Sequence, residues 1–472
     1  MTTSVQQIYT GCLAHGAYYI ESDGEAAIID PLREVQPYVD MAEQRGAKIK
    51  YVFETHFHAD FVSGHIDLAA KTGATIVYGP TTMETGFDAL IAEDNQEFKL
   101  GKLTVRLIHT PGHTPESSCY LLIDENGTDT SLFTGDTLFI GDVGRPDLAQ
   151  KVVAELTQEK LASMMFDSLR NKIMPLNDDI IVYPGHGAGS ACGKNMSQET
   201  TDTLGNQKKT NYALDPALDR ESFIEALLTG LTPPPAYFPQ NVIMNISGYQ
   251  SIDDVVAAGM KALSVDEFAE QMENDQVVIL DTRGAEEFGQ SFVPGAINIA
   301  LDGKFASWVG TVLRDVKQPL LLVTDQGAEE ETAIRLARVG FDNLKGHLKG
   351  GFEAWQQSGR DTDHIVSVTV DELAKLDNPA ILDIRRSSEY DSEHILGAIN
   401  APLDYWWDEE GKVSDDQTQY LLCRTGYRSM VFASIMKRNG HQNLVNVLGG
   451  MKAVKAAGQM KLSDYVCPST ML

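Results

Sequence analysis

The chain has 472 residues, of which 43% are hydrophobic and 22% charged. This length supports two to four domains with separate cores, and the composition is that of a globular protein. Acidic residues outnumber basic ones by 67 to 38, which gives a net charge of -29. We therefore expect no nucleic acid and no membrane among its partners, because binding phosphate groups requires an excess of Lys and Arg.

The five cysteines are scattered along the chain and lack the close spacing of a disulfide framework. No stretch reaches the roughly 18 apolar residues that a bilayer-spanning helix needs. The N-terminal residues also lack a basic segment followed by an apolar run. These features predict a cytoplasmic location.

Residues 1–230 alternate short apolar runs with amphipathic helical segments. Proline-rich residues 231–240 end this alternation, and we predict a linker over 231–262. Apolar and β-branched residues predict six strands. The predicted strands are residues 26–30, 49–55, 74–79, 103–109, 117–123 and 180–184.

An internal repeat follows the linker. Residues 279–298 and 381–400 share the patterns I-L-D-x-R and G-A-I-N at the same spacing. Alternating strands and helices around both copies predict two α/β domains, at residues 263–361 and 362–472.

Short loops after apolar runs in the N-terminal half carry a set of histidines and aspartates. Imidazole and carboxylate groups suit Zn or Fe as ligands and suit Ca or Mg poorly. One such histidine alone is usually a surface or core residue, but the whole set is typical of a metal site. The set is His56, His58, Asp60, His113, Asp136 and His186.

This set resembles the metallo-β-lactamase superfamily over most of residues 1–230, which implies an αββα sandwich. The family pattern is H-x-H-x-D-H, followed by His, Asp and His. The chain departs from it once, because Phe61 replaces the third histidine of the first motif. That histidine normally helps to hold a second metal, so we predict a mononuclear site held by His56, His113 and Asp136.

Two imidazoles and one carboxylate form the facial triad of non-haem Fe(II) oxygenases, which leaves positions open for O2 and substrate. The chain resembles the persulfide dioxygenase branch of the superfamily, which implies one Fe(II) per chain. His58, Asp60 and His186 would then orient the ligands or gate the site.

Two further features lie close to these motifs. Gly144, Arg145 and Asp147 resemble a Gly-Arg-x-Asp segment of the same branch. Arg145 is predicted either to position an anionic thiol conjugate or to pair with Asp147 and stabilise its loop. Cys192 lies in a glycine-rich loop after His186, and it is either a reactive thiol near the iron or a buried structural residue.

Cys423 opens the loop C-R-T-G-Y-R-S between a predicted strand and an apolar helix. Backbone N–H groups and the helix dipole at such a loop stabilise a thiolate and hold an anion, and Arg424 and Arg428 add positive charge. The loop resembles the active loop of the rhodanese family. Four residues separate Cys423 from Arg428, whereas phosphatases of similar architecture have five. We therefore predict that this thiol carries sulfur as a persulfide.

The first repeat has no cysteine in the corresponding loop. We align its Asp325 with Cys423, and aspartate cannot carry sulfur. Glutamates at 329–331 would also repel a sulfur oxyanion. Residues 263–361 are therefore predicted to form an inactive rhodanese-like domain with a role in spacing, dimerisation or docking.

The whole arrangement resembles bacterial persulfide dioxygenase–rhodanese fusions. This resemblance implies that a low-molecular-weight persulfide, such as that of glutathione or coenzyme A, is oxidised by O2 to sulfite and thiol. Cys423 would transfer sulfane sulfur to sulfite to form thiosulfate, as part of sulfide detoxification. A homo-oligomer, a dimer or a tetramer, is also expected. Two alternatives stay open: a dinuclear zinc thioester hydrolase of the glyoxalase II type, and a non-catalytic sulfur-carrier or sensor assembly.

Overall fold

The computed structural model describes residues 4–148 and 156–467. Among these residues, no helix is both long and apolar enough to cross a membrane. The chain divides into two compact units: Met1–Ile252 with Ala337–Gly340, and Asp253–Leu336 with Phe341–Leu472.

The first unit is built on two six-stranded sheets. One sheet has the spatial order β1 (Ser4–Thr10), β2 (His15–Ser22), β3 (Glu25–Ile29), β4 (Lys48–Phe53), β5 (Thr75–Tyr78) and β6 (Leu90–Ile91). The other has the order β12 (Asp202–Thr203), β11 (Ile181–Pro184), β10 (Asp129–Gly135), β9 (Ser118–Ile123), β8 (Leu103–His109) and β7 (Glu97–Leu100). Its helices are α1 (Gln36–Arg45), α2 (His65–Thr72), α3 (Gln158–Ser168), α4 (Leu204–Thr210), α5 (Arg220–Leu228) and α6 (Phe238–Ser247).

The inner faces of the two sheets pack together in one apolar core. Phe53 of β4 contacts Tyr120 of β9 with ring centroids 4.7 Å apart, and both rings are fully buried. Helices α1 and α2 cover the outer face of the first sheet, and α3 and α5 cover that of the second. Helix, sheet, sheet and helix layers therefore confirm the predicted αββα sandwich.

Residues 231–262 differ from the predicted linker. They contain α6 and α7 (Ile252–Gly259), and α6 buries Phe238, Val242 and Asn245. These three residues recur at helical spacing, so one face of α6 packs into the first unit. The proline-rich stretch at 233–235 precedes this helix and does not extend through the segment.

The second unit contains two five-stranded parallel sheets with the same strand order. The first has β13 (Ala262–Leu263), β17 (Leu344–Leu348), β16 (Leu320–Val323), β14 (Val278–Asp281) and β15 (Ile297–Asn298). The second has β18 (Val366–Val368), β22 (Leu444–Val447), β21 (Gln419–Leu422), β19 (Ala380–Asp383) and β20 (Ile399–Asn400). The helices after α7 are α8 (Val265–Met272), α9 (Ala285–Gln290), α10 (Phe305–Leu313), α11 (Glu329–Ala337), α12 (Gly351–Gln357), α13 (Val370–Leu373), α14 (Ser387–Ser392), α15 (Trp406–Glu409), α16 (Tyr427–Arg438) and α17 (Gly450–Ala457).

The strand register shows which residues of the two repeats are equivalent. In each repeat, the aspartate of the I-L-D motif pairs with the last residue of β16 or β21. The residues directly after these strands are Thr324 and Cys423, so they occupy equivalent positions. Our alignment of Asp325 with Cys423 was therefore wrong by one residue, and Asp325 corresponds to Arg424. The first repeat has one residue fewer before its next strand, and sequence spacing alone did not place that gap.

With the corrected alignment, the first repeat still has no cysteine at the position of Cys423. Thr324 is buried like Cys423, while Asp325 and Arg424 are both exposed. A threonine hydroxyl cannot form a persulfide, so the first repeat still offers no sulfur nucleophile at this position.

Candidate metal centre and sulfur-transfer loop

The candidate metal residues come from loops that follow four strands. His56 and His58 lie after β4, and His113, Asp136 and His186 lie after β8, β10 and β11. Each side chain is 2% exposed or less. Strands of both sheets therefore bring these loops to one edge of the sandwich, where a rigid scaffold can position them.

His56, His113 and Asp136 form one of the groups that could hold a metal ion. One ligand atom from each lies within 4.8 Å of the others, and His113 Nε2 is 3.5 Å from Asp136 Oδ2. Ligands that bind a metal at about 2.1 Å lie roughly 3 to 3.5 Å from one another, so this spacing fits a shared ion. Asp136 Oδ2 is buried without a hydrogen-bond partner, which also points to a bound cation.

Neighbouring groups fix the ring orientation of both histidines. His113 Nδ1 donates to the Arg145 carbonyl at 2.8 Å, and His56 Nδ1 is 2.9 Å from Thr55 Oγ1. These contacts engage Nδ1 in each ring and leave Nε2 for a metal.

The protonation states of the three residues suit metal binding. Burial lowers the pKa of His56 and of His113, which keeps both rings neutral. Burial alone would raise the pKa of Asp136, but the nearby His186 ring outweighs burial and holds this pKa below its ordinary value. Neutral imidazoles and an ionised carboxylate are the forms that coordinate a metal.

His186 lies between two carboxylates. Its Nδ1 is 2.8 Å from Asp136 Oδ1, and its Nε2 is 2.8 Å from Asp60 Oδ2. Burial would lower the pKa of His186, but the two carboxylates raise it well above the ordinary value. Nε2 is nevertheless buried without a hydrogen bond, and Asp60, His186 and Cys192 form a second group that could hold a metal ion.

Phe61 fills the place of the missing histidine with an apolar ring. It is fully buried, and its ring centroid is 4.3 Å from those of His15 and His58. The ring offers no ligand atom where the family motif has a histidine, which favours a single metal.

Two carboxylates that sequence reasoning missed face His58. His58 Nε2 is 3.2 Å from Asp30 Oδ1 and 3.6 Å from Glu54 Oε2, and all three side chains are buried. Asp30 also accepts hydrogen bonds from the backbone N–H and the hydroxyl of Thr55, both at 2.8 Å. The sequence signal was small: one carboxylate directly after each of two strands, β3 and β4.

Helix α6 supports the same loop from outside the motifs. Asn245 Nδ2 donates to the carbonyls of His58 and Phe61 at 2.8 and 2.9 Å. Its Oδ1 accepts from the Ser63 N–H at 3.0 Å. No sequence pattern pointed to this asparagine, since it lies in the segment that we predicted to be a linker.

The structure favours the loop-stabilising interpretation of Arg145. Its guanidinium forms a two-point ion pair with Asp147, with N–O distances of 2.7 and 2.6 Å. It also donates to the carbonyls of Ala191 and Thr232. Arg145 is 4% exposed, and its contacts hold three segments together: its own loop with Asp147, the loop of Ala191 and the segment of Thr232.

Cys192 lies close to the metal group, with its Sγ in a cluster with Asp60 and His186. The side chain is 1% exposed. Burial raises the pKa of this thiol well above the ordinary value, and the adjacent carboxylates add to the rise. Cys192 is therefore a buried protonated thiol beside the site.

Cys423 is the first residue after β21, and its thiol is 1% exposed. The Gly426 N–H, at the start of α16, donates to Sγ at 3.0 Å. Arg428 is committed to a two-point ion pair with Glu389, with distances of 2.6 and 2.9 Å. The structure therefore differs from the prediction that Arg428 is available to an anion, because Glu389 on α14 was not recognised as its partner.

A cavity of about 360 Å³ adjoins this loop. Arg424 lines it as predicted, and the sequence interpretation missed Lys452, whose backbone N–H donates to the Arg424 carbonyl. The lining residues are Arg385, Glu389, Ser392, Glu393, Arg424, Met451, Lys452 and Lys455.

Comparisons with known proteins agree with these folds. The family model of the metallo-beta-lactamase superfamily matches residues 10–186, and that of the rhodanese-like domain matches residues 264–358 and 369–457. A metallo-beta-lactamase from Staphylococcus aureus subsp. aureus COL is 31% identical, with a TM-score of 0.64, and the match covers 74% of this chain and 99% of that chain. The chain belongs to the metallo-β-lactamase superfamily. Two rhodanese-like domains follow that fold, as the sequence predicted.

Several similar proteins carry the name hydroxyacylglutathione hydrolase. That of Rhizobium etli is 36% identical over 166 residues, which is 34% of this chain and 57% of that protein. The chain spans about half the length of the curated relatives that it matches. ETHE1 from Myxococcus xanthus is 27% identical, with a TM-score of 0.44, and the match covers 52% of this chain and 98% of that chain.

Proposed function

We propose that the chain is a non-haem Fe(II) dioxygenase that oxidises a low-molecular-weight persulfide with O2 and water to sulfite, thiol and protons. The observation that carries the proposal is the buried group of His56, His113 and Asp136 beside a His186 ring that faces two carboxylates. Two imidazoles and one carboxylate match the Fe(II) facial triad. The substrate is the persulfide of a low-molecular-weight thiol, such as glutathione or coenzyme A.

An Fe(II) ion held by these three residues would supply the O2 chemistry. The protein's own groups set the conditions for it. Thr55 and the Arg145 carbonyl orient the two imidazoles, and His186 keeps Asp136 ionised. Phe61 packs a fully buried apolar ring against His15 and His58 beside these residues.

Metal content and O2 uptake test this proposal together. Anaerobically loaded protein should hold about one Fe per chain and consume O2 only when a persulfide is added. Glutathione persulfide and coenzyme A persulfide serve as the two probes. Iron-loaded protein that consumes no O2 with either persulfide would overturn the proposal.

A thioester hydrolase is the second candidate, because several relatives are named hydroxyacylglutathione hydrolase. Hydrolysis of that type uses two zinc ions and a bridging hydroxide. Phe61 weighs against a second ion, because its ring offers no ligand atom in place of the motif histidine. Two zinc ions per chain with hydrolysis of S-lactoylglutathione would favour this candidate over oxygenation.

Changing Phe61→His should raise the zinc content of zinc-loaded protein from about one towards two ions per chain, because it restores the imidazole that the family motif has directly after Asp60. Phe61→Leu is the matched control, since it keeps the site apolar and should leave the content near one. Elemental analysis after removal of loosely bound metal provides the measurement. Equal zinc content in both variants would show that Phe61 does not limit the site to one ion.

We also propose that Cys423 carries sulfane sulfur as Cys–S–S⁻ and transfers it to sulfite. Sulfite attacks the outer sulfur, the S–S bond breaks, and thiosulfate leaves with the cysteine as thiolate. The Gly426 N–H at 3.0 Å and the start of α16 favour the anionic sulfur. Because both domains belong to one chain, covalent linkage would raise the effective concentration of sulfite at its acceptor site.

Changing Gly450→Ala should reduce thiosulfate formation about tenfold or more. Gly450 has φ +52°, and a Cβ there would overlap the Cys423 carbonyl. A left-handed backbone costs about 1–2 kcal/mol for alanine even before this clash moves the loop. Gly351→Ala is the matched control, because Gly351 has φ +61° beside the carbonyl of Thr324 in the repeat without a cysteine. Equal losses of activity in the two variants would contradict the prediction.

A further inference from the structure

A short chain of polar side chains leads away from the Cys423 sulfur. Ser429 Oγ is 3.4 Å from Cys423 Sγ and 2.7 Å from Asn446 Oδ1. Asn446 Nδ2 is in turn 3.4 Å from Ser367 Oγ. Cys423, Ser429 and Asn446 are each 1% exposed or less, so neither the sulfur nor its neighbours can rely on water.

The hydroxyl of Ser429 has one proton and more than one acceptor. Asn446 Oδ1 is the closest acceptor, and the Gly426 carbonyl lies at 3.1 Å. When the proton points to Asn446, the Ser429 oxygen presents a lone pair to the sulfur and can accept from a thiol S–H. This arrangement suits the protonated form of Cys423.

A sulfur anion at Cys423 needs the opposite arrangement. Rotation of the Asn446 amide by half a turn would bring Nδ2 to Ser429 Oγ as a donor, and the Ser429 proton would be released to Sγ. The hydroxyl of Ser367 can donate or accept, so it satisfies the far end of the amide in both orientations. The thiol proton is lost to a base when the anion forms, while the protons of Ser429 and Asn446 stay on their own atoms and only change direction.

We propose that Ser429 and Asn446 are positioning residues that hold the Cys423 sulfur in both its thiol and its anionic form by reversing these hydrogen bonds. The inference rests on the sulfur-transfer role proposed for Cys423. A thiolate at Sγ gains the Ser429 donor in addition to the Gly426 N–H. A hydrogen bond to an ionised partner is stronger than one between neutral groups, so the serine favours the reactive form.

The first repeat provides an internal comparison, because it lacks the cysteine and also lacks counterparts of the same type for Ser429 and Asn446. Strand register makes His347 the counterpart of Asn446, and its Nδ1 donates instead to the Gly259 carbonyl at 3.0 Å. The counterpart of Ser429 is a glutamate in either possible alignment. It is Glu330 if the one-residue gap between the repeats lies after this position, and Glu329 if the gap lies before it. The replaced residues are Thr324 for Cys423, Glu329 or Glu330 for Ser429, and His347 for Asn446.

The alkylation rate of Cys423 in the full-length protein tests this inference. Iodoacetamide at neutral pH reacts with the thiolate, and mass spectrometry of the Cys423 peptide reports the rate. Ser429→Ala should slow the reaction about tenfold, as expected for one lost hydrogen bond to an anion. Ser429→Thr keeps the hydroxyl and should react like the unchanged protein. The exposed Cys467 in the same samples gives a reference rate.

Two changes of Asn446 separate a hydrogen-bonding role from a merely structural one. Asn446→Asp offers only acceptor oxygens to Ser429, so the serine hydroxyl donates to the carboxylate and not to the Cys423 sulfur. Alkylation of Cys423 should therefore slow at least as much as in Ser429→Ala. Asn446→Ala removes the competing acceptor, so alkylation should stay within about twofold of the unchanged rate. Equally slow reaction of both Asn446 variants, or an unchanged rate in Ser429→Ala, would overturn the inference.

This measurement does not depend on the proposed enzyme reaction. Alkylation needs no persulfide and no sulfite, so it reports the state of the sulfur alone. If the rates follow the expected order but no thiosulfate forms, the proposed function fails while the hydrogen-bond assignment stands. If Ser429→Ala does not fold, the two Asn446 variants still give opposite expected results: slow alkylation for Asn446→Asp and a nearly unchanged rate for Asn446→Ala.

Discussion

Changing His113→Ala should abolish persulfide-dependent O2 uptake and leave less than about a tenth of the iron bound. Loss of a group that only supports a metal ligand typically costs 10- to 100-fold in affinity or activity, and His113 is itself a proposed ligand. The alanine removes Nε2, which lies 3.5 Å from Asp136 Oδ2. It also leaves the buried Arg145 carbonyl without the donor that it has at 2.8 Å. Iron analysis and an oxygen electrode measure the two effects separately.

His109→Ala provides the matched control for this change. His109 ends the same strand, β8, and its Nε2 contacts the Pro115 carbonyl at 2.8 Å, away from the group of possible metal ligands. We expect this variant to keep its iron and its O2 uptake. If His113→Ala also keeps its iron, the triad is not the metal site, and the neighbouring group of Asp30, Glu54 and His58 becomes the next candidate.

The residues that could be predicted from the sequence share one property: each stands in a motif directly after an apolar run. His56 and His113 follow the predicted strands at 49–55 and 103–109, whereas Asp136 follows β10, a strand that was not among the six predicted, and was found through its motif. The replacement of a histidine by Phe61 was equally visible, because the family motif has a fixed spacing.

The supporting residues could not be predicted, because their contacts link distant parts of the chain. Asn245 bonds the carbonyls of His58 and Phe61 from a helix that lies 187 and 184 residues further along the sequence. A lone amide in a helix carries no local signal of such a partner. Asp30 could not be predicted for the same reason, because the sequence shows only a single carboxylate directly after β3.

The charge pattern of the sulfur-transfer loop was predicted only in part. Arg424 and Arg428 appeared equivalent in sequence, but Arg428 pairs with Glu389 while Arg424 lines the cavity. Sequence spacing cannot show that a glutamate of another helix neutralises one of two arginines. The same limit explains the misplaced Asp325, since only strand register located the gap between the repeats.

Changing Cys423→Ser should reduce enzymatic thiosulfate formation at least about a thousandfold while sulfite production continues, because removing a covalent nucleophile removes the whole pathway through it. Serine keeps the size of the side chain and an acceptor for the Gly426 N–H at 3.0 Å. Its oxygen cannot form a persulfide, so the loop should remain folded but inactive. Cys467→Ser, at an exposed position, is the matched control and should behave like the unchanged protein.

A single-turnover measurement removes the contribution of persulfide and sulfite reacting in solution. Protein is loaded with sulfane sulfur, freed of excess donor and mixed with sulfite, and thiosulfate is counted per chain. The unchanged protein and Cys467→Ser should release about one thiosulfate per chain, and Cys423→Ser should release none above background. Thiosulfate from loaded Cys423→Ser would assign the carrier to another thiol. Cys192 would then be the first to examine, because its buried sulfur lies beside Asp60 and His186.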